Sequence, residues 1–154
     1  MRSRNGFTLV ETLIVVVIFG LLTAVAFPKL RSALVQNDLR GARTMTINLV
    51  AKARAAATQS NRRTWVRFAG NSAYVLARPR QAAGAGNADT VGGVQNLYDV
   101  YKVNLSVLTA GVDSIQFDPR GIGSGFNTSG VTIQLSRGGY TSSIVIDGFG
   151  RVSK

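Results

Sequence analysis

The 154-residue sequence predicts an α+β fold: one long N-terminal helix, membrane-spanning in its first half, packed against an antiparallel β-sheet head. Three observations carry this reading. An uninterrupted apolar run opens the chain, helical spacing of apolar residues continues beyond it, and from Asn61 the apolar period changes to two. The divisions that follow are a basic leader at 1–6, a transmembrane helix at 7–28, an amphipathic continuation at 29–60 and a β-rich head at 61–154.

The leader carries Arg2 and Arg4, and the run from Phe7 to Phe27 carries one charge, Glu11. About 21 residues at 1.5 Å rise come to roughly 30 Å, one hydrocarbon thickness. The two arginines in front place the N-terminus in the cytoplasm and send the rest across the membrane. Ala24-Val25-Ala26 also reads as a cleavage site for an ordinary secretory signal, which makes a soluble exported domain the competing interpretation. Glu11 speaks against it. An ionisable group at mid-bilayer costs about 2.5–3.5 kcal/mol, so such a residue marks a function with a definite partner, whereas a disposable signal gains nothing from it.

Past the apolar run, Val35, Leu39, Ala42, Thr46, Leu49, Ala53 and Ala56 repeat at alternating steps of four and three, with Met45, Val50 and Ala57 widening the stripe. Helix from Phe7 to Gln59 is predicted, roughly 80 Å long, with Pro28 as its kink because proline removes one helical hydrogen bond. Strands are predicted at Thr64–Ala69, Ala73–Ala77, Tyr98–Val103, Ser114–Asp118, Val131–Ser136, Tyr140–Ile146 and Arg151–Ser153. Gly70-Asn71-Ser72 and Arg137-Gly138-Gly139 read as turns, and the Gly/Ala-rich stretch 78–96 as a loop.

Composition narrows the function. The chain has neither cysteine nor histidine, which removes disulfides, Cys/His zinc sites, cysteine nucleophiles and histidine-based triads. The seven acidic residues are dispersed, so no catalytic residue, no metal site and no cofactor is expected, and the chain reads as a non-enzyme. Asp113 and Asp118 read as turn and strand-end residues. Gly84-Ala85-Gly86 and the glycines at 121, 123 and 125 lack the Gly-Lys-Ser/Thr that a phosphate loop needs. A net charge of +11 favours anionic partners.

Gly6-Phe7-Thr8-Leu9-Val10-Glu11 resembles the class III signal of type IV pilin-like proteins. The resemblance implies cleavage by a prepilin peptidase after Gly6 on the cytoplasmic face, N-methylation of Phe7, and retention of the apolar helix as the filament core. The chemistry is coherent: cleavage creates an amine at Phe7, and between staggered chains that amine can neutralise Glu11 of a neighbour, driving assembly and setting its register. The helix ending in Ala-Arg-Ala-Ala-Ala and followed by Asn61-Arg62-Arg63 is similar to the GspH/FimT branch of minor pilins and pseudopilins. So are Phe117 to Gly121, Val131-Thr132-Ile133, Ile144-Val145-Ile146 and Gly150-Arg151-Val152. This implies a minor subunit at or near the tip of a type II secretion pseudopilus or a type IV pilus. It implies a single pass through a bacterial inner membrane, with the N-terminus cytoplasmic, the head periplasmic or extracellular, and other pilin or pseudopilin subunits as partners. Some FimT-like proteins bind DNA in natural transformation through a C-terminal Gly-Arg-x-Arg pattern. This chain ends Gly150-Arg151-Val152-Ser153-Lys154, without the second arginine, and Arg62, Arg63, Arg151 and Lys154 are the candidate DNA or anion contacts.

Overall fold

The structure, a computed structural model, describes residues 8–78, 88–124 and 130–153. It divides into two units, one ending at Gln36 and one beginning at Asn37. Helix α1 runs Leu9–Ser60, 52 residues, with Pro28 inside it rather than at its end.

In the first unit the helix is uncovered. Its large apolar side chains are exposed from Leu9 to Leu34, and an 18-residue window reaches a mean hydropathy of 2.6 with none of it buried. The few hydroxyls bond back into the helix: Thr12 Oγ1 donates to the Thr8 carbonyl at 3.3 Å and Thr23 Oγ1 to the Phe19 carbonyl at 2.7 Å. The polar atoms of these threonines are therefore satisfied without water, which a segment lodged in hydrocarbon requires.

In the second unit the same helix is half-covered. Leu39, Ala42, Thr46, Leu49, Val50, Ala53 and Ala57 are buried. This is the expected stripe with Ala57 in place of the half-buried Ala56. Thr46 is tolerated in the core because its Oγ1 donates to the Ala42 carbonyl at 2.9 Å.

Ten strands among the described residues form two antiparallel sheets. The first contains β1 (Thr64–Ala69), β2 (Ser72–Ala77), β3 (Asp89–Thr90), β4 (Gln95–Asn96), β6 (Ser114–Phe117) and β7 (Gly123–Ser124). Its order is β3-β2-β1-β6-β7, with β4 also paired to β2. The second contains β5 (Asn104–Val107), β8 (Val131–Arg137), β9 (Tyr140–Ile146) and β10 (Val152–Ser153) in the order β10-β9-β8-β5. Alternation sends Val66, Phe68, Val75, Ile115 and Phe117 of one sheet, and Val131, Ile133, Leu135, Ile144 and Ile146 of the other, into the core with the buried helix stripe. Thr64 Oγ1 donates to the Ala53 carbonyl at 2.8 Å and ties β1 to α1.

The register follows the expected turns. Thr64 pairs with Ala77 and Ala69 with Ser72, while Arg137 pairs with Tyr140 across Gly138-Gly139, both at positive φ.

Four expectations are corrected. The segment Tyr98–Val103 is not a strand: a short helix α2 occupies Leu97–Tyr101. The Asn96 side chain accepts from the backbone N–H of Tyr98 and Asp99 at 3.0 and 3.3 Å, and Lys102 closes the turn at φ 54. That cap outweighs the alternation of Leu97, Tyr98, Val100 and Val103. The strands form two sheets, not one. The 78–96 stretch contains β3 and β4, and β7 follows β6. These strands are two residues long, too short to show a period.

Candidate functional sites

The start of α1 is built as a reciprocal cap. Thr8 donates to Glu11 Oε2 from its backbone N–H at 3.0 Å and from its hydroxyl at 3.1 Å, while the Glu11 N–H donates to Thr8 Oγ1 at 3.2 Å. This is the capping box of a Thr-x-x-Glu sequence, which satisfies donors at the helix N-terminus and puts a negative charge on its positive end. Glu11 thus has a partner inside its own chain, one that the spacing Thr8-Leu9-Val10-Glu11 could have revealed. Gly6 and Phe7, the predicted processing pair, lie outside the described residues.

The four predicted anion contacts are not gathered in one place. Arg62 Nη1 donates to the Arg78 carbonyl at 2.7 Å and to Asp89 Oδ2 at 3.1 Å, closing the junction where α1 ends and β1 begins. Arg63 is exposed beside it. Arg151 stands at the far end of the sequence, in the turn between β9 and β10, with its Nε donating to Asp147 Oδ2 at 2.7 Å. Lys154 lies outside the described residues. Of the wider basic set, Arg67 pairs with Asp113 at 3.4 Å and Arg137 pairs with Asp38 of α1. Trp65 donates from Nε1 to Gln116 at 3.1 Å on the outer face of the first sheet.

Two turns share one design that sequence reading missed. In Asp118-Pro119-Arg120-Gly121 the aspartate Oδ1 accepts from the N–H of Arg120 and Ile122, both at 2.9 Å. In Asp147-Gly148-Phe149-Gly150 the aspartate Oδ1 accepts from the N–H of Phe149 and Arg151 at 3.0 and 2.7 Å. Both end on a glycine at positive φ, 79° at Gly121 and 75° at Gly150, and both close a short hairpin with a glycine bulge. The repeated Asp-x-x-Gly followed by a strand residue was the available signal.

Arg54 of α1 fastens both turns. Its Nε donates to the Gly121 carbonyl at 2.8 Å and its Nη2 to the Phe149 carbonyl at 2.6 Å. Its guanidinium lies over the Phe117 ring, 5.7 Å from the centroid. The Asp147 carboxyl is held below the ordinary aspartate range, first by the Arg151 backbone N–H, with the Arg151 side chain and the Phe149 N–H adding to it against some desolvation.

Residues 1–27 match the family described as prokaryotic N-terminal methylation motif. Residues 42–150 match the family described as type II transport protein GspH. Two crystal forms of the type IV minor pilin FimU from Pseudomonas aeruginosa (strain PAO1) share the fold. The form in space group P21 aligns with a TM-score of 0.58 and 14% identity, covering 77% of this chain and 88% of that one. The form in P65 aligns with a TM-score of 0.55 and 14% identity, covering 75% and 90%. No curated protein matches the chain.

Proposed function

The chain belongs to the family described as type II transport protein GspH, and on that premise we propose that it is a minor pilin or pseudopilin subunit at or near a filament tip. Prepilin peptidase cuts after Gly6 on the cytoplasmic face, Phe7 is methylated, and the subunit waits in the bacterial inner membrane as a single-pass protein with its head outside the cytoplasm. It enters a type II secretion pseudopilus or a type IV pilus through α1. The subunit works by assembly, not by catalysis.

One observation supports this above the others. Leu9 to Leu34 expose their apolar side chains with no protein covering them among the described residues, and the only acid in that stretch is Glu11. Such a surface is stable in hydrocarbon or against sister helices, and in water it is not. Glu11 then has two partners at different stages: Thr8 of its own chain, and the Phe7 amine of a neighbour after cleavage. DNA has no part in this reading, because Arg62 and Arg151 are engaged with Asp89 and Asp147.

The test is intact mass and N-terminal peptide mapping of the protein from its native membrane. A mature chain beginning at methylated Phe7 is the expected result. A chain beginning at Phe27 overturns the filament reading in favour of an ordinary signal peptide and a soluble exported domain.

A further inference from the structure

We propose that a basic groove beside α1 receives an acidic, extended segment of a different filament subunit, and that a second copy of this chain does not occupy it. The proposal rests on the reading of the chain as a filament subunit.

The groove has a volume of about 770 Å³ and is lined by Ile47, Val50 and Ala51 of α1, the Gly121 and Gly150 turns, and Val152 of β10. A second compartment of about 540 Å³ shares Ile47 and Val152 with it and reaches Arg40, Arg43 and Ser153. The apolar lining carries Arg40, Arg43, Arg120 and Arg151 around it, and among the described residues no aspartate or glutamate lines either compartment. Arg151 is paired with Asp147, whereas Arg40, Arg43 and Arg120 form no ion pair among the described residues. Arg54 is already bound to two carbonyls and serves as wall.

Charge selects the occupant. Residues 37–154 hold fourteen Lys/Arg against six Asp, a net of +8. Asp38, Asp89, Asp113 and Asp147 are in ion pairs, and Asp118 is held by two backbone N–H groups. A second copy therefore offers no acidic segment and brings like charge, which opposes association. Nucleic acid fits less well, since none of the lining residues is aromatic and bases would have nothing to stack on. An extended peptide with alternating acidic and aliphatic side chains matches both the cations and the apolar lining. β10 ends its sheet, so an incoming strand also finds an edge with unpaired backbone groups.

The experiment uses the full chain in detergent micelles and fluorescence anisotropy with three probes: a short labelled peptide of alternating Glu and Val, its Lys-Val counterpart, and a labelled single-stranded oligonucleotide. The Glu-Val peptide is expected to bind and the Lys-Val peptide not to. Affinity falls at least about tenfold in the triple variant Arg40→Ser/Arg43→Ser/Arg120→Ser. It also falls in Ala51→Trp, which fills the groove from an exposed helix position without changing charge. Lys102→Ser, outside the groove, leaves it unchanged. Binding indifferent to both groove variants, or no peptide binding at all, overturns the proposal. Tighter capture of the oligonucleotide with the same arginine dependence overturns it in favour of nucleic acid. Self-association lost on Ala51→Trp overturns it in favour of a second copy. None of these readouts depends on processing, so failure of the filament reading is seen separately, in the mature N-terminus.

Discussion

Glu11 has two possible duties, helix cap and intermolecular charge partner, and three variants separate them. Thr8→Val removes the hydroxyl that accepts the Glu11 N–H at 3.2 Å and donates to Glu11 Oε2 at 3.1 Å, and keeps the carboxylate. Loss of such a cap costs about 1 kcal/mol, or roughly fivefold in an equilibrium. Glu11→Gln keeps an acceptor that can close the capping box but removes the charge. A hydrogen bond to a charged group contributes about 1.5–3 kcal/mol, so losing the Phe7 ammonium partner should lower filament uptake by roughly ten- to a hundredfold. Glu11→Val loses both and should insert in the membrane yet assemble worst. The assay is the ratio of filament-borne to membrane-borne subunit by quantitative mass spectrometry, after confirming the same mature N-terminus in each variant. If Glu11→Gln assembles like the wild type while Thr8→Val does not, the residue is a cap and the charge-pairing mechanism is wrong. Wild-type assembly of Glu11→Val would sink both duties.

Four further outcomes are expected. Gly6→Val adds a β-branched side chain where the peptidase needs close backbone access, and unprocessed precursor should accumulate in the membrane, visible as a mass shift of the uncut leader. Gly150→Ala forces a side chain into a φ of +75° and into the Phe117 ring; about 2–4 kcal/mol of destabilisation is expected in denaturant unfolding of the full chain in micelles. Arg54→Met keeps the stem but strands the Gly121 and Phe149 carbonyls, which should cost about 1–3 kcal/mol in the same assay. Asp147 has a lowered folded-state pKa, so its contribution is present above the unfolded value near about 3.9 and is lost as pH falls through the lower folded value. Melting curves taken downward from about pH 5 should therefore lose stability in that acidic window, and Asp147→Asn should flatten the profile there.

The buried stripe of α1 and the long hairpins were legible because each is a local pattern repeated often enough to be read. The stripe from Leu39 to Ala57 repeats every three or four residues, and Thr64–Ala69 with Ser72–Ala77 alternate around a two-residue turn. α2 was misread because five residues cannot show a helical period, and its cap is a single side chain, Asn96. The Thr8–Glu11 box was present in the spacing but overshadowed by the cost of an acid in an apolar run. The predicted basic cluster was legible as composition only. Arg62, Arg67, Arg137 and Arg151 each face an aspartate 27, 46, 99 and 4 positions away, and three of those distances are invisible to a local reading.

By itself the sequence determined that the chain opens with an apolar helix bearing one acid, that the helix turns amphipathic, and that the remainder is antiparallel strand. These are consequences of backbone periodicity and the hydrophobic effect, which act over a few residues at a time. Only the tertiary structure decided which charges meet, that the strands divide into two sheets, and that one arginine on α1 holds two turns 67 and 95 residues further along the chain. Coulombic and hydrogen-bond contacts act over a few ångströms in space without regard to sequence separation, so partner choice waits for the fold.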